Sequence, residues 1–315
     1  MRTSLSSTHP TTGTGRRPRD RIGVAVGLTL FVLALVALHG AVRGFSLHDF
    51  ARQASSLSVW QVVIALALTG LSYLTLTSYD ILALRHIRHP LPFRRIALAS
   101  FIGYAFSNTI GLAFLSGGSV RYRLYSSWGL TPGQIAKVVA FCAFTFFFGA
   151  VAIAGVICSI QPVPAFGLPP EGVRLLGLLM VGATGVFLGL SAADRPLALF
   201  GRNWRLPSLK VSLLQIGICG VDLVLTDGVL YALLPAAVDV AFLPFIGAFL
   251  LSNALGHLSQ VPGGLGVFET TMFLLLSAHV PPSALLSSLL LFRVTYHLLP
   301  LLAAVLLLGL HEATR

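Results

Sequence analysis

Residues 259–270 read SQVPGGLGVFET: one proline, three glycines and a glutamate between the apolar arms LPFIGAFLLSNALGHL (243–258) and TMFLLLS (271–277). Such a break is no ordinary turn if the arms lie in a bilayer. Unpaired backbone N–H and C=O groups at membrane depth are tolerated only where protein or a polar cavity satisfies them. The rest of the 315-residue chain supports a bilayer setting, with 56% hydrophobic and 10% charged residues and a mean hydropathy of +0.87. A soluble domain of this length has no core large enough to hide so many long apolar runs. The expected fold class is therefore an all-α polytopic membrane protein.

Runs of span length, about 20 residues, cover 22–42, 58–79, 136–160, 172–193, 210–235 and 284–310. Two further stretches, 96–118 and 243–280, are broken by Gly, Ser, Asn or Pro. The basic residues decide how the first behaves, because Lys and Arg stay on the cytoplasmic side. If 96–118 enters and returns on one face, 17 basic residues lie inside, and only Arg43, Arg52 and Arg174 lie outside, with Arg293 in the bilayer. A full crossing would instead expose Arg195, Arg202, Arg205 and Lys210. A re-entrant hairpin follows, and the same parity starts 243–280 from the opposite face. An internal repeat strengthens the pairing: FIGYAFSNTIG (101–111) matches FIGAFLLSNALG (245–256), and each is followed by a double glycine, Gly117-Gly118 and Gly263-Gly264. Oppositely oriented repeats with broken helices are a signature of secondary transporters. The plainer alternative is that Gly and Pro simply permit close helix packing.

The expected organisation is a disordered cytoplasmic tail at 1–21, a transmembrane unit at 22–310 and a cytoplasmic end at 311–315. The unit comprises six helices and two re-entrant hairpins in an inverted repeat. The Arg-rich end of the tail abuts a run too long for a cleavable signal peptide, so 22–42 reads as an uncleaved anchor. Both termini are placed in the cytoplasm. The net charge of +11 resides in short loops, so topology and anionic lipid explain it and nucleic acid is not an expected partner. Cys142, Cys158 and Cys219 show no metal or disulfide spacing, and neither metal nor cofactor is expected.

Glu269 falls in the first turn after the glycine break, where free N–H groups create positive potential; Gly263, Gly264 and Gly266 offer N–H groups to a lipid phosphate. An acid at bilayer depth is costly and marks a functional candidate. Asp222 sits mid-span, and Asp227 points about 140° away from it on a helix, which argues against one carboxylate pair. Arg293, with His297 at i+4, needs an acidic partner, either Asp222 or Glu269, and a purely structural ion pair competes with a functional one. Arg121 and Arg123 alternate with Tyr122 and Tyr125, a mixture suited to the headgroup layer as phosphate contacts or as plain anchors. Asp80 near the inner surface reads equally as a snorkelling acid or a pathway residue. Ser116 and Ser119 have no base placed by sequence, so a membrane serine hydrolase has little support.

At SGGSVRYRLYSSWGL (116–130), LASFIGYAFSN (98–108) and VPGGLGVFET (261–270) the chain resembles the lysylphosphatidylglycerol synthase transmembrane family, the membrane half of the multiple peptide resistance factor. The resemblance runs from about residue 22 to 310. It implies a bacterial inner-membrane lipid flippase that moves aminoacylated phosphatidylglycerol, or a related phospholipid, to the outer leaflet and so blunts attraction of cationic peptides. It also implies that Asp80, Arg121 and Glu269 handle lipid. The soluble acyltransferase domain of that factor has no counterpart here, so the chain is expected not to be an enzyme and to depend on a separate aminoacyl-lipid synthase; a homodimer is left open. In the expected cycle Arg121 and Arg123 gather phosphate at the inner surface and the glycine turn receives it at depth. Glu269 and Asp222 meet the cationic aminoacyl group, with Arg293 as their resting partner. The competing expectations are a non-transporting scaffold or regulatory subunit for the synthase, and an intramembrane enzyme built on Ser119.

Overall fold

The computed structural model describes residues 57–110, 113–162, 169–193, 197–199, 202–204, 206–235, 238, 240–259, 261–277 and 279–314. The expected tail at 1–21 and the span at 22–42 lie outside the described residues. Helix α1 (Val59–His86) starts on a capping box in which Ser58 and Gln61 satisfy each other's backbone N–H groups. α2 (Phe93–Ile110) and α3 (Ala113–Ser127) fold back on each other as a first hairpin. α4 (Pro132–Ile160) opens on a second capping box, Thr131 with Gln134, and carries proline in its first turn, where no N–H is needed. α5 (Pro170–Ala192) packs along α4. A two-stranded antiparallel hairpin, Leu197–Leu199 with Arg202–Trp204, precedes α6 (Leu209–Ala232). α7 (Phe242–Leu258), a 3₁₀ turn at Pro262–Gly264 and α8 (Val267–Leu276) form the second hairpin. The last helix runs as α9 (Pro282–Phe292), a π-helical turn at Arg293–Leu298 and α10 (Leu299–Ala313).

Among the described residues five helices are long and apolar enough to cross a bilayer: α1, α4, α5, α6 and the Ala284–Ala313 stretch of the last. Their outward faces carry large apolar side chains such as Leu175, Leu179, Val186, Leu302 and Leu306. Hydrocarbon accepts such faces and water does not. The architecture is all-α and polytopic.

Side-chain contacts identify which helix ends lie together. At one end of the bundle Gln61 at the start of α1 donates to the carbonyls of Ala232 and Leu234 at the end of α6, and Ser288 in α9 donates to the Leu233 carbonyl. At the other end Arg123 near the end of α3 pairs with Glu312 near the end of α10, His86 meets Phe141, and Ser212 near the start of α6 meets Ser191. The first hairpin therefore opens at the end where α10 finishes, and the second at the end where α1 begins. Their tips meet between these ends. A Cβ on Gly263 would lie 2.8 Å from the Thr109 carbonyl oxygen at the end of α2.

The return arm of the first hairpin runs to Ser127 rather than ending near Gly118. Gly117 and Gly118 are helical residues inside it, whereas Gly263 (φ 59°) and Gly264 (φ 62°) adopt left-handed conformations. The repeat places two glycine pairs at matching positions, but only the second breaks a helix there. The first serves close packing: a Cβ on Gly117 would collide with the Ser107 hydroxyl and lie 2.7 Å from the Gly103 carbonyl oxygen.

Candidate functional site

The turn quoted at the outset is tied to the last helix by one arginine. Gly266 (φ 81°) leads into α8, and its N–H donates to Glu269 Oε2 at 2.7 Å, so the carboxylate caps its own helix. The other oxygen, Oε1, receives Arg293 Nε at 2.7 Å and lies 2.6 Å from Nη2. Arg293 Nη1 donates to the Gly263 carbonyl at 2.7 Å. The guanidinium thus spans both sides of the glycine break. The two side chains remain 10% and 20% exposed, so the pair is sheltered but reachable. Of the two acids open to Arg293 by sequence, the fold selects Glu269.

Arg293 begins the π-helical turn, a widened segment that frees carbonyls from the regular ladder. Pro300 has no N–H for the Tyr296 carbonyl four residues back, and Tyr73 of α1 donates its hydroxyl there at 3.2 Å. The His297 carbonyl accepts the Thr109 hydroxyl at 3.2 Å. Both hairpin tips and the π turn of the last helix therefore share one polar junction, in which the Tyr296 and His297 carbonyls accept hydroxyls from α1 and α2.

Arg121 and Asp80 form a second pair. Arg121 Nε and Nη2 donate to the two Asp80 oxygens, each at 2.9 Å, and the Tyr125 hydroxyl donates to Oδ1 at 2.8 Å. The guanidinium lies 4.3 Å from the centre of the Tyr104 ring. Gly103 and Gly117 give it room: a Cβ on either would come within 3.2 Å of Nη1. The Asp80 side chain is fully buried and that of Arg121 nearly so. Arg121 thus fastens the return arm of the first hairpin to α1, and Asp80 does not snorkel to a surface. Arg123, about 200° farther round α3, faces outward and meets Glu312 at 2.9 Å in a half-exposed pair. Arg121 is thus enclosed within the bundle, whereas Arg123 lies at its surface.

The third cluster lies between α1, α6 and the π turn. Asp222 accepts the Ser72 hydroxyl at 2.7 Å; Ser72 also meets Tyr296 at 2.9 Å and Thr226 at 3.2 Å, and Thr226 donates to Tyr296 at 3.0 Å. Asp222 therefore takes a serine rather than Arg293. Asp227 is fully buried, and among the described residues neither of its oxygens has a hydrogen-bond partner. Ser119 spends its hydroxyl on the Ser116 carbonyl at 2.8 Å. Among the described residues no group of three or more His, Cys, Asp or Glu is arranged to hold a metal ion.

Sequence patterns missed Ser72, Tyr73, Thr109 and Tyr296. The available signal was Pro300, which must strand a carbonyl inside an apolar span and so calls for a hydroxyl donor.

The chain matches the family described as the lysylphosphatidylglycerol synthase TM region over residues 22–304. The uncharacterized protein slr0712 of Synechocystis sp. is 36% identical over 91% of both chains. The inner membrane protein YbhN of Escherichia coli is 30% identical, covering 91% of this chain and 92% of its own length. The phosphatidylglycerol lysyltransferase of Staphylococcus xylosus is 22% identical over 90% of this chain but only 33% of its own length, so the likeness is to its membrane part. With nearly the whole chain matched, and with broken helices carrying the motifs, this protein belongs to the lysylphosphatidylglycerol synthase transmembrane family.

Proposed function

We propose that this protein is a bacterial inner-membrane flippase that moves phospholipid from the inner to the outer leaflet. Aminoacylated phosphatidylglycerol is the substrate class, and weaker attraction of cationic peptides is the consequence. The observation that carries this proposal is the Glu269–Arg293 pair on the glycine turn, set where hairpins from opposite ends of the bundle meet. An aminoacylated headgroup presents a phosphate and an ammonium close together. A partly exposed guanidinium and carboxylate complement those two charges, the phosphate taking Arg293 and the ammonium taking Glu269. The protein pair closes on itself when the lipid leaves, which avoids stranding either charge at depth.

The end of the bundle at which the first hairpin opens bears Arg85, Arg88, Arg94, Arg95, Arg123 and Lys210, and the positive-inside rule assigns it to the cytoplasm. The end of α10 lies there too. The Asp80–Arg121 pair positions the first hairpin, and transport itself makes and breaks no covalent bond. The aminoacyl group would come from a separate synthase.

The test is labelling with a membrane-impermeant amine reagent in cells that make aminoacylated phosphatidylglycerol through a separately expressed synthase. Expression of this chain should raise the labelled outer-leaflet fraction, and Glu269→Gln or Arg293→Gln should return it to background at unchanged total lipid. Labelling that persists in both variants would overturn the assignment.

A further inference from the structure

Among the described residues, two carboxylates of α6 stand in the membrane interior without a cation. Among the described residues the close ion pairs place Arg121 on Asp80, Arg293 on Glu269 and Arg123 on Glu312. Asp222 has a hydroxyl donor in Ser72, and Asp227 has none. The Asp227 carboxyl lies within Coulombic reach of both Asp222 and Tyr296. The titratable groups around the two acids are Tyr73 and Tyr79 of α1, Cys219 of α6 itself and Tyr296 of the π turn. None is a cation. The titratable groups facing His297 include Arg293 and His257.

An ionised aspartate at membrane depth is costly even on the lenient insertion scales, and a second on the same helix raises that cost. No group of ligands suited to a metal ion is present among the described residues. The species that removes such a charge with no further ligand is a proton.

We propose that Asp227 and Asp222 form a proton-binding site, and that proton binding there drives the lipid movement proposed above. The site itself stands independently of that function; the coupling rests on it. The link to the headgroup junction is the hydroxyl network. With Asp222 ionised, Ser72 donates to it and Tyr296 completes the cluster. A proton taken on Asp222 Oδ1, the oxygen that accepts from Ser72, turns that oxygen into a donor, and the hydroxyls of Ser72, Thr226 and Tyr296 then reorient. Tyr296 lies three residues from Arg293 on the same π turn, so the change is felt at the arginine that holds the glycine turn.

The experiment uses the full chain in two preparations. In nanodiscs, infrared difference spectra between acidic and alkaline buffer should show a carboxylic-acid carbonyl band that shifts in deuterium oxide. It should shrink in Asp227→Asn and vanish in Asp222→Asn/Asp227→Asn. Absence of the band in the wild type, or its persistence in the double variant, refutes the site. In proteoliposomes containing lysyl-phosphatidylglycerol, one proton per lipid makes an imposed gradient of about one pH unit shift the leaflet distribution about tenfold. That shift should disappear with a protonophore and in Asp227→Asn, whose near-isosteric side chain allows folding to be checked by gel filtration. Gradient-independent transport in the wild type, or an unchanged shift in Asp227→Asn, refutes the coupling. If the wild type moves no lipid at all, the flippase function fails while the infrared result still decides the site.

Discussion

Removing either partner of the Asp80–Arg121 pair should be far more damaging than removing both. Asp80→Asn leaves a guanidinium facing a neutral amide in a fully enclosed site, and Arg121→Met leaves the carboxylate with only the Tyr125 hydroxyl. Breaking a buried pair in this way costs about 3–5 kcal/mol, chiefly because the surviving charge has no counter-ion. Replacing both charges removes that penalty, and neutral side chains of similar volume are often tolerated at such sites. Independent effects would sum to roughly 6–10 kcal/mol, so a double variant no worse than either single implies a coupling of about 3 kcal/mol or more. Steric-trap unfolding in bicelles measures all four corners of the cycle. Leaflet labelling on the same samples separates positioning from lipid contact, since a pair that only fastens hairpin to span leaves transport in the double variant near the wild-type rate. Additivity within about 0.5 kcal/mol would show that the pair does not act as a unit. Single losses below about 1 kcal/mol would show it to be hydrated like a surface bridge.

The glycines supply two more predictions. Gly117→Ala drives a methyl into Ser107 and the Gly103 backbone, whereas Gly118→Ala meets nothing within 4 Å; the first should lower thermal stability, while the second should be neutral or gain up to about 1 kcal/mol from helix propensity. Equal Tm values would refute the close packing of α2 on α3. Gly263→Ala combines a left-handed backbone, about 1–2 kcal/mol against an L side chain, with a contact 2.8 Å from the Thr109 carbonyl, while Gly266→Ala carries the backbone cost alone. Unfolding and outer-leaflet labelling should therefore show Gly263→Ala as the more severe, and the reverse order would remove the tip-to-tip contact.

The hairpins were legible because charge counting and the glycine break are local signals. Glu269 with Arg293 was one of two pairings the sequence allowed, and only the chain path from α8 to the last helix decides between them. Asp80 with Arg121 was illegible because 41 residues separate them and each side chain, seen alone near a span end, looks like a surface group. The helical azimuth that turns Asp227 away from Asp222 argues against one carboxylate pair, but it says nothing about burial when a helix has more than one buried face. α6 packs on α1, α4, α7 and α9, so both directions lead inward. The π turn RVTYHL has no pattern of its own, since one extra residue per turn leaves no mark on the order of residue types.

The energetics point to where this fold can move. Each hairpin is fastened to a crossing helix by an ion pair on its return arm, Arg121 to Asp80 of α1 and Glu269 to Arg293 of the last helix. The signs are exchanged between the two. Separating the buried pair costs about 3–5 kcal/mol. The hairpin tips, by contrast, touch through the close approach of Gly263 to the Thr109 carbonyl, and the Thr109 hydroxyl adds a single neutral hydrogen bond to the last helix, of a kind worth about 1 kcal/mol net. The tips are therefore the most weakly held part of the junction, whereas the last helix stays joined to the first hairpin by its packing on α2 and by the half-exposed Arg123–Glu312 pair.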